Sequence, residues 1–148
     1  MKISVPISVG ELFDKISILE IKKIKIKDKT KLQDIKFELN ALKQILTKKR
    51  LHKKNNKEQY IKLLNINKRL WNIEDKKRSY ENSKKFDKAF IELARKVYLL
   101  NDRRAEIKNT INLNSGSKSL MSFFSAFAIK SILASISSLP ATSRANFK

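Results

Sequence analysis

The sequence FIELARKVYLLNDRRAEIKNTI, residues 90–111, repeats apolar side chains at alternating steps of three and four residues. This spacing places them along one face of an α-helix, and that face must pack against another element to leave water. Seven positions form the seam, and all but one are apolar: Phe90, Leu93, Val97, Leu100, Arg104, Ile107 and Ile111. The stretch therefore predicts a long amphipathic helix with a single cation inside its apolar face.

The sequence around this helix lacks the residues that usually interrupt secondary structure. Only Gly10 and Gly116 are glycines, and the 105 residues between them also contain no proline, because the two prolines are Pro6 and Pro140. Turns in this segment must use other residues, and Gly-rich phosphate loops and Asn-Gly hairpins are excluded from it. The segment is therefore expected to consist of long helices.

A first helix is predicted from Val9 to Lys27. Ser8 is a candidate N-cap, Glu11 stands at the position that completes a capping box, and Ile7 and Leu12 occupy the hydrophobic-staple positions. Its apolar stripe consists of Leu12, Ile16, Leu19 and Ile26. The preceding residues 1–7 alternate apolar and polar side chains, which predicts a short strand or extended arm.

Two more helices lie between the first helix and the last. Asp28 is a candidate N-cap for the second, whose seam is Leu32, Ile35, Leu39, Leu42 and Leu46. Residues 48–57 break this seam with six cations and predict a turn. The third helix has the seam Leu63, Ile66, Leu70 and Ile73, and a polar patch at residues 81–83 precedes the fourth.

The predicted fold is all-α, an antiparallel bundle of four long helices arranged as two hairpins, because amphipathic helices gain most of their stability from packing. Residues 1–116 would form the bundle domain, and homodimerisation through a seam is an alternative way to bury one face. The chain has no cysteine and one histidine, His52, so disulfides, histidine-rich metal sites and a Ser-His-Asp triad are excluded. No secretory signal opens the sequence, so a cytoplasmic location is expected.

Residues 117–148 differ in composition from the predicted bundle. None of the 14 acidic residues lies beyond Glu106, and residues 119–139 hold seven serines and one charged side chain, Lys130. The favoured interpretation is a disordered or poorly selected extension. The alternative is a helix at a membrane surface or partner, since a membrane span with this serine content and a central lysine is a poor one.

The formal charge of +20 indicates nucleic acid or an anionic membrane as a partner class. However, Lys, Asn and Ile supply 57 of the 148 residues, so a drift toward A/T-rich codons explains the excess equally well. Six cations between helices two and three form what we call the basic tip: Lys48, Lys49, Arg50, Lys53, Lys54 and Lys57. The tip has no aromatic residue for base stacking, so a solvated turn, with His52 exposed in it, is favoured over nucleic-acid binding.

Arg104 is the most informative polar residue, because a guanidinium in an apolar seam needs a carboxylate or an anionic ligand. Glu74, Asp75, Asp14 and Glu20 are the candidate carboxylates. On helix three, Trp71 and Asp75 share a face, as do Glu74 and Arg78. The alternative to an internal pair is a ligand or partner contact by a group of Trp71, Tyr98, Asn101, Arg103 and Arg104.

Three stretches carry a resemblance to a known family: residues 5–22 (VPISVGELFDKISILEIK), residues 70–75 (LWNIED) and residues 90–105, with NDRRA at their end. Together they resemble a family of small bacterial proteins of unknown function that is associated with gene neighbourhoods for glycosyltransferases and surface-polysaccharide assembly. The likeness covers about residues 1–116, and the tail departs from the pattern. Within these segments, the resemblance draws attention to eight residues: Asp14, Lys15, Trp71, Glu74, Asp75, Asn101, Asp102 and Arg103.

The functional hypothesis is an accessory or protein-interaction module, and the resemblance implies a partner such as a glycosyltransferase. The first alternative is a non-specific nucleic-acid binder that uses the basic tip. The second is a small helical-bundle enzyme of the chorismate mutase kind, which requires a concave apolar pocket with Arg104 facing into it. No catalytic residue, metal site or cofactor is predicted.

Overall fold

The computed structural model describes residues 5–51 and 53–117, and it confirms the all-α prediction. Four helices follow one another: α1 (Val9–Lys25), α2 (Lys29–Lys48), α3 (Lys54–Asn82) and α4 (Lys88–Ser115). Within the described residues no strand is present, and no helix combines the length and apolar character needed to cross a membrane. The predictions for the tail beyond Ser117, for His52 and for residues 1–4 lie outside the described residues.

Three of the helices begin where side-chain caps satisfy backbone donors. The Ser8 hydroxyl accepts from the amide of Glu11 at 3.4 Å, and the Asp28 carboxylate accepts from Lys31 at 2.9 Å. These caps confirm the two predicted helix starts. One detail was wrong: the Glu11 carboxylate accepts from the Lys108 ammonium instead of closing a capping box. At the staple positions, Leu12 is buried and Ile7 is 55% exposed.

The helix ends differ from the predicted ends by a few residues. The first helix ends at Lys25, two residues earlier than predicted, and the turn between α2 and α3 covers only residues 49–53. Leu51 explains the tighter turn: its amide donates to the Leu46 carbonyl at 3.0 Å and its side chain packs against the core. Of the cations that suggested a longer turn, Lys48 is the last residue of α2, and Lys54 and Lys57 lie in the first turn of α3.

The short helix α1 is the centre of the bundle. It packs against α2, α3 and α4, whereas α2 packs chiefly against α1, and α3 and α4 form an antiparallel hairpin. Because α1 has neighbours on several sides, its buried residues extend beyond the predicted stripe to include Phe13, Asp14, Ser17 and Ile21. Because α2 packs chiefly against α1 and only weakly against the other helices, a cleft is left along one side of α1.

The α3–α4 hairpin is longer than the helix that it supports. Helix α1 has 17 residues and α3 has 29, and the ammonium of Lys25, at the end of α1, acts on the carboxylate of Asp75 in α3. Helix α3 then continues for seven residues, about 10 Å, to Asn82. The far end of the hairpin, residues 76–96, therefore extends past the end of α1.

Candidate functional site

A polar network lies at the junction of α1, α3 and α4, around the buried carboxylate of Asp14. The Asn67 amide donates to one carboxylate oxygen of Asp14 at 2.8 Å and to the hydroxyl of Ser17 at 2.6 Å. The Ser17 hydroxyl in turn donates to the backbone carbonyl of Asp14 at 2.7 Å. Both amide hydrogens of Asn67 are thus used inside the protein, which fixes the orientation of the carboxylate.

Arg104 completes the network from α4. Its guanidinium lies 3.4 Å from the second carboxylate oxygen of Asp14, and it also donates to the side-chain oxygen of Asn101 at 3.1 Å. The Asp14 side chain is 5% exposed and that of Arg104 is 28% exposed. Of the four predicted carboxylates, Asp14 is therefore the partner. The pair joins α1 to α4, so Arg104 already has a carboxylate partner and does not stand unpaired as the enzyme alternative requires.

A second junction joins the start of α1 to the end of α4. The side-chain oxygen of Asn112 accepts from the amide of Gly10 at 2.6 Å, and the hydroxyl of Ser117 accepts from the amide of Val9 at 3.2 Å. A methyl group on Gly10 would lie 2.4 Å from the carbonyl oxygen of Lys108, so the two backbones approach as closely as glycine permits. The first amides of α1 are satisfied internally and are not available to an anion.

Asn56 ties the α2–α3 turn to the end of α4. It is 1% exposed, and its amide donates to the carbonyl of Leu51 at 3.1 Å and to the hydroxyl of Ser115 at 2.9 Å. No partner within the described residues reaches its side-chain oxygen. The buried amide of Asn56 therefore holds the turn that carries the basic tip against the end of α4.

The predicted residues of α1 and α3 outside the Asp14 network are engaged in surface pairs. Lys15 pairs with Glu38 of α2 at 2.7 Å. Glu74 and Arg78 share a face of α3, as predicted, but each takes an ion-pair partner three positions away: Lys77 pairs with Glu74 at 3.3 Å and Arg78 pairs with Asp75 at 2.6 Å. The shorter step brings the side chains together within one helical turn.

Trp71 and Asp75 share a face, as predicted. Trp71 is partly buried, and its side chain contributes to the environment of the Asp75 carboxyl. The hydrogen bond from Arg78 lowers the pKa of Asp75 below its usual value, and the interaction with Trp71 acts in the same direction. This arrangement places an indole and an ion pair beside the end of α1.

The remaining predicted residues of α4 do not converge with the Asp14 network. Arg103 pairs with Glu106 on the surface at 2.5 Å, and Asp102 is exposed. Tyr98 is 53% exposed, on a different face from the core seam. The structure thus brings Asp14, Asn101 and Arg104 together and leaves Arg103, Asp102 and Tyr98 facing solvent.

The residues of the basic tip are all exposed. They surround the α2–α3 turn, where Arg50 has a positive φ of 52°. Lys57 differs from the others because it also lines a cleft between α1, α2 and α3, together with Lys43. The tip is therefore a charged surface with one member at the mouth of a cavity.

Exposed apolar side chains define a second surface, on α4. Ile91 and Tyr98 are 55% and 53% exposed, and Ala94 between them is exposed as well. Steps of three and four residues place the three on one helix face, which we call the α4 stripe. Beyond it, Phe86 packs edge-on against Phe90 with ring centroids 5.2 Å apart at the hairpin turn.

Sequence reasoning missed the buried amides Asn56, Asn67 and Asn112. For Asn56 the signal was its spacing: it stands seven residues before Leu63, which places it on the apolar seam of helix three. The same spacing of seven, from Val97, identified Arg104 as a polar residue in the seam of helix four. Asn67 likewise follows Leu63 by one turn. The cavity residues Glu20, Lys43 and Tyr60 carried no comparable signal.

These features define an all-α protein whose internal charges are paired across a three-helix junction. The sequence model of one family, described as a family of unknown function (DUF6165), matches residues 1–140, and the chain belongs to that family. The match extends 24 residues beyond residue 116, the limit that the resemblance predicted. No curated protein and no solved structure matches the chain.

Proposed function

We propose that the chain is a helical protein-interaction module that binds a partner protein through the α4 stripe, at the far end of the α3–α4 hairpin. The observation that carries the proposal is the exposure of Ile91 and Tyr98 on a helix whose opposite face already packs in the core. Large apolar side chains that share an exposed helix face are typical of interaction surfaces. Tyrosine is common at such surfaces, since it combines apolar area with a polar end.

The charge around the stripe specifies the chemistry of the partner. Residues 76–96 contain eight cations and three acidic residues, an excess of five positive charges. Charge complementarity favours a partner that offers an apolar patch with acidic residues at its rim. The family resemblance favours a glycosyltransferase as this partner, so the module would serve as an accessory to surface-polysaccharide or glycan synthesis.

The pairing inside the bundle supports an interaction role over an enzymatic one. Arg104, which the enzyme alternative requires to face a pocket, pairs with the carboxylate of Asp14. Asn67 donates a hydrogen bond to Asp14, and Asn101 accepts one from Arg104. This network is suited to fixing the register of α1 against α4. Contacts with a partner protein would then be made by the outer surface of the α3–α4 hairpin.

A capture experiment with the full chain tests the proposal. Tagged wild-type protein and the double variant Ile91→Gln, Tyr98→Gln are used to capture partners from native lysate, with and without nuclease treatment. The matched control is Ile45→Gln, Ile61→Gln, since these side chains are 44% and 50% exposed on other helices. Circular dichroism checks that all three proteins have the same helical content.

We expect one acidic partner to be retained by the wild type and by the control, to survive nuclease, and to be lost from the stripe variant. Equal capture by the two double variants would contradict the proposal. Capture that disappears with nuclease would instead assign the function to nucleic-acid binding by the basic tip.

A further inference from the structure

The cleft between α1, α2 and α3 is a cavity of about 610 Å³, which is within the usual size range of small-molecule sites. Helix α1 contributes Phe13, Ile16 and Glu20, α2 contributes Lys43, Leu46 and Thr47, and α3 contributes Lys57 and Tyr60. The apolar side chains Phe13, Ile16 and Leu46 are buried and belong to the main core. The floor of the cavity is therefore apolar and continuous with the main core.

Charged groups lie along the walls above this floor. Lys43 pairs with Glu20 across the α1–α2 side. On the opposite wall Lys57 is exposed, and within the described part of the chain no carboxylate lies within ion-pair distance of it. A neighbouring shallow groove shares Lys43 and Thr47 with the cavity and adds Lys48. Three cations and one carboxylate thus face the cavity and its adjoining groove.

Tyr60 supplies a neutral donor beside these cations. Its ring packs against Phe13 with centroids 5.8 Å apart, which fixes its position on the cavity wall. Burial and the neighbouring Glu20 carboxylate raise the pKa of Tyr60 to about 12. The phenol therefore keeps its proton at neutral pH and remains a hydrogen-bond donor.

We propose that this cavity binds an amphiphile with one apolar chain and a phosphate head group, with the chain against the Tyr60 ring in the cleft above the buried floor and the head at Lys57. A phosphate monoester carries a charge of about −1.5 to −2 at pH 7. This charge matches the excess of two positive charges around the cavity and its groove. A carboxylate head would neutralise only one of them, and an uncharged chain would neutralise none.

The proposal is independent of partner binding by the α4 stripe, because none of the cavity residues lies on α4. Isothermal titration calorimetry of the full chain with decyl phosphate, below its micelle concentration, tests it. Decanol, decanoate and inorganic phosphate are the comparison ligands. We expect decyl phosphate to bind at least tenfold more tightly than each of them, since both the chain and a dianionic head contribute.

Two variants of equal charge locate the head group. Lys57→Gln should weaken decyl phosphate binding roughly tenfold, whereas Lys54→Gln, which removes a charge from the basic tip outside the cavity, should weaken it less than twofold. Thr47→Trp should abolish binding, because it fills the cavity from an exposed position that the fold does not need. Thermal unfolding and circular dichroism verify that each variant is folded.

Several results would overturn the proposal. Equal losses in Lys54→Gln and Lys57→Gln would mean that the charge of the tip attracts anions without a defined site. Binding that survives Thr47→Trp would place the ligand elsewhere. Decanol or decanoate affinity equal to that of decyl phosphate would exclude phosphate recognition, and the absence of heat with decyl phosphate would exclude the site altogether.

Discussion

Arg104 on α4 and Asp14 on α1 form an ion pair, 3.4 Å from nitrogen to oxygen, in which the carboxylate is almost fully buried and the guanidinium is partly exposed. The carboxylate also accepts from Asn67, so removal of Asp14 would leave two donors without an acceptor. Removing one partner of such a buried pair is costly, because the other charged group loses its partner. The net contribution of the whole pair to stability depends on the residues that replace both partners. The pair therefore fixes the register of α1 more than it adds stability.

The first prediction concerns this pair. Asp14→Ala should lower the free energy of unfolding by about 3 kcal/mol, because it leaves the Arg104 guanidinium without a carboxylate and one amide hydrogen of Asn67 without an acceptor. The double-mutant cycle with Arg104→Ala should give a coupling energy of about 1–2 kcal/mol, measured by urea denaturation.

The exposed pair Lys15–Glu38 is the matched control for that cycle, since it joins α1 to α2 at 2.7 Å with both side chains about half exposed. Its coupling energy should be about 0.5 kcal/mol or less. A coupling for Asp14 and Arg104 that is no larger than this would show that their contact is a surface pair with no role in register.

The second prediction concerns Gly10, where the cost of a side chain is steric. Gly10→Ala should destabilise the protein by about 2 kcal/mol, despite the better helix propensity of alanine, because the new methyl group meets the Lys108 carbonyl and displaces the Asn112 contact. Thermal or urea denaturation measures the loss.

Gly116 provides the comparison, because its requirement is conformational. Its φ is 64° and an added Cβ would have nothing within 4 Å. Gly116→Ala should cost about 1 kcal/mol, and Gly116→Asn should recover much of this loss, since asparagine tolerates left-handed backbone. At Gly10, asparagine should be worse than alanine. The opposite order at Gly10 would rule out close packing of α1 on α4 as the reason for glycine there.

The sequence was sufficient to predict the four helices, the Ser8 and Asp28 caps and the need of Arg104 for a carboxylate, because each depends on residues within a few turns of one another. The choice of Asp14 among four carboxylates depends on how α1 is placed against α4, which no local pattern specifies. The same limit applies to Gly10 and Asn112, whose contact joins residues 102 positions apart.

The candidate sites were predicted less well than the fold. Trp71 and Tyr98 attracted attention as large aromatic residues, yet Trp71 interacts with Asp75 and Tyr98 is 53% exposed on α4. The cavity was not predicted, because it forms where α2 packs chiefly against α1 and only weakly against the other helices. Its lining residues come from three helices, and no local sequence pattern brings them together. Lys57 was named in advance as a member of the basic tip, Glu20 as a candidate carboxylate for Arg104, and Ile16 and Leu46 as seam residues, but nothing indicated that they share a cavity.

The third prediction is a loss of stability at high pH that depends on Tyr60. Burial, and then the charge of Glu20, raise the pKa of Tyr60 to about 12 in the folded protein, above its ordinary value near 10. The unfolded chain therefore releases the phenolic proton first as the pH rises. The stabilising effect is complete below about pH 10 and is lost progressively between about pH 10 and about pH 12.

Because the side chain is only partly buried, the loss should be on the order of 1 kcal/mol after screening by solvent. Urea denaturation of the wild type and of Tyr60→Phe between pH 8 and about pH 12 isolates this contribution from the titration of the many lysines. The stability difference between the two proteins should shift toward the Phe variant as the pH rises. Glu20→Gln should make this shift smaller and complete it at lower pH, since removal of the neighbouring negative charge lowers the pKa of Tyr60 in the folded protein only. A difference that stays constant across this range would mean that the Tyr60 phenol titrates as freely in the folded protein as in the unfolded chain, and that the cavity wall is open to water at that point.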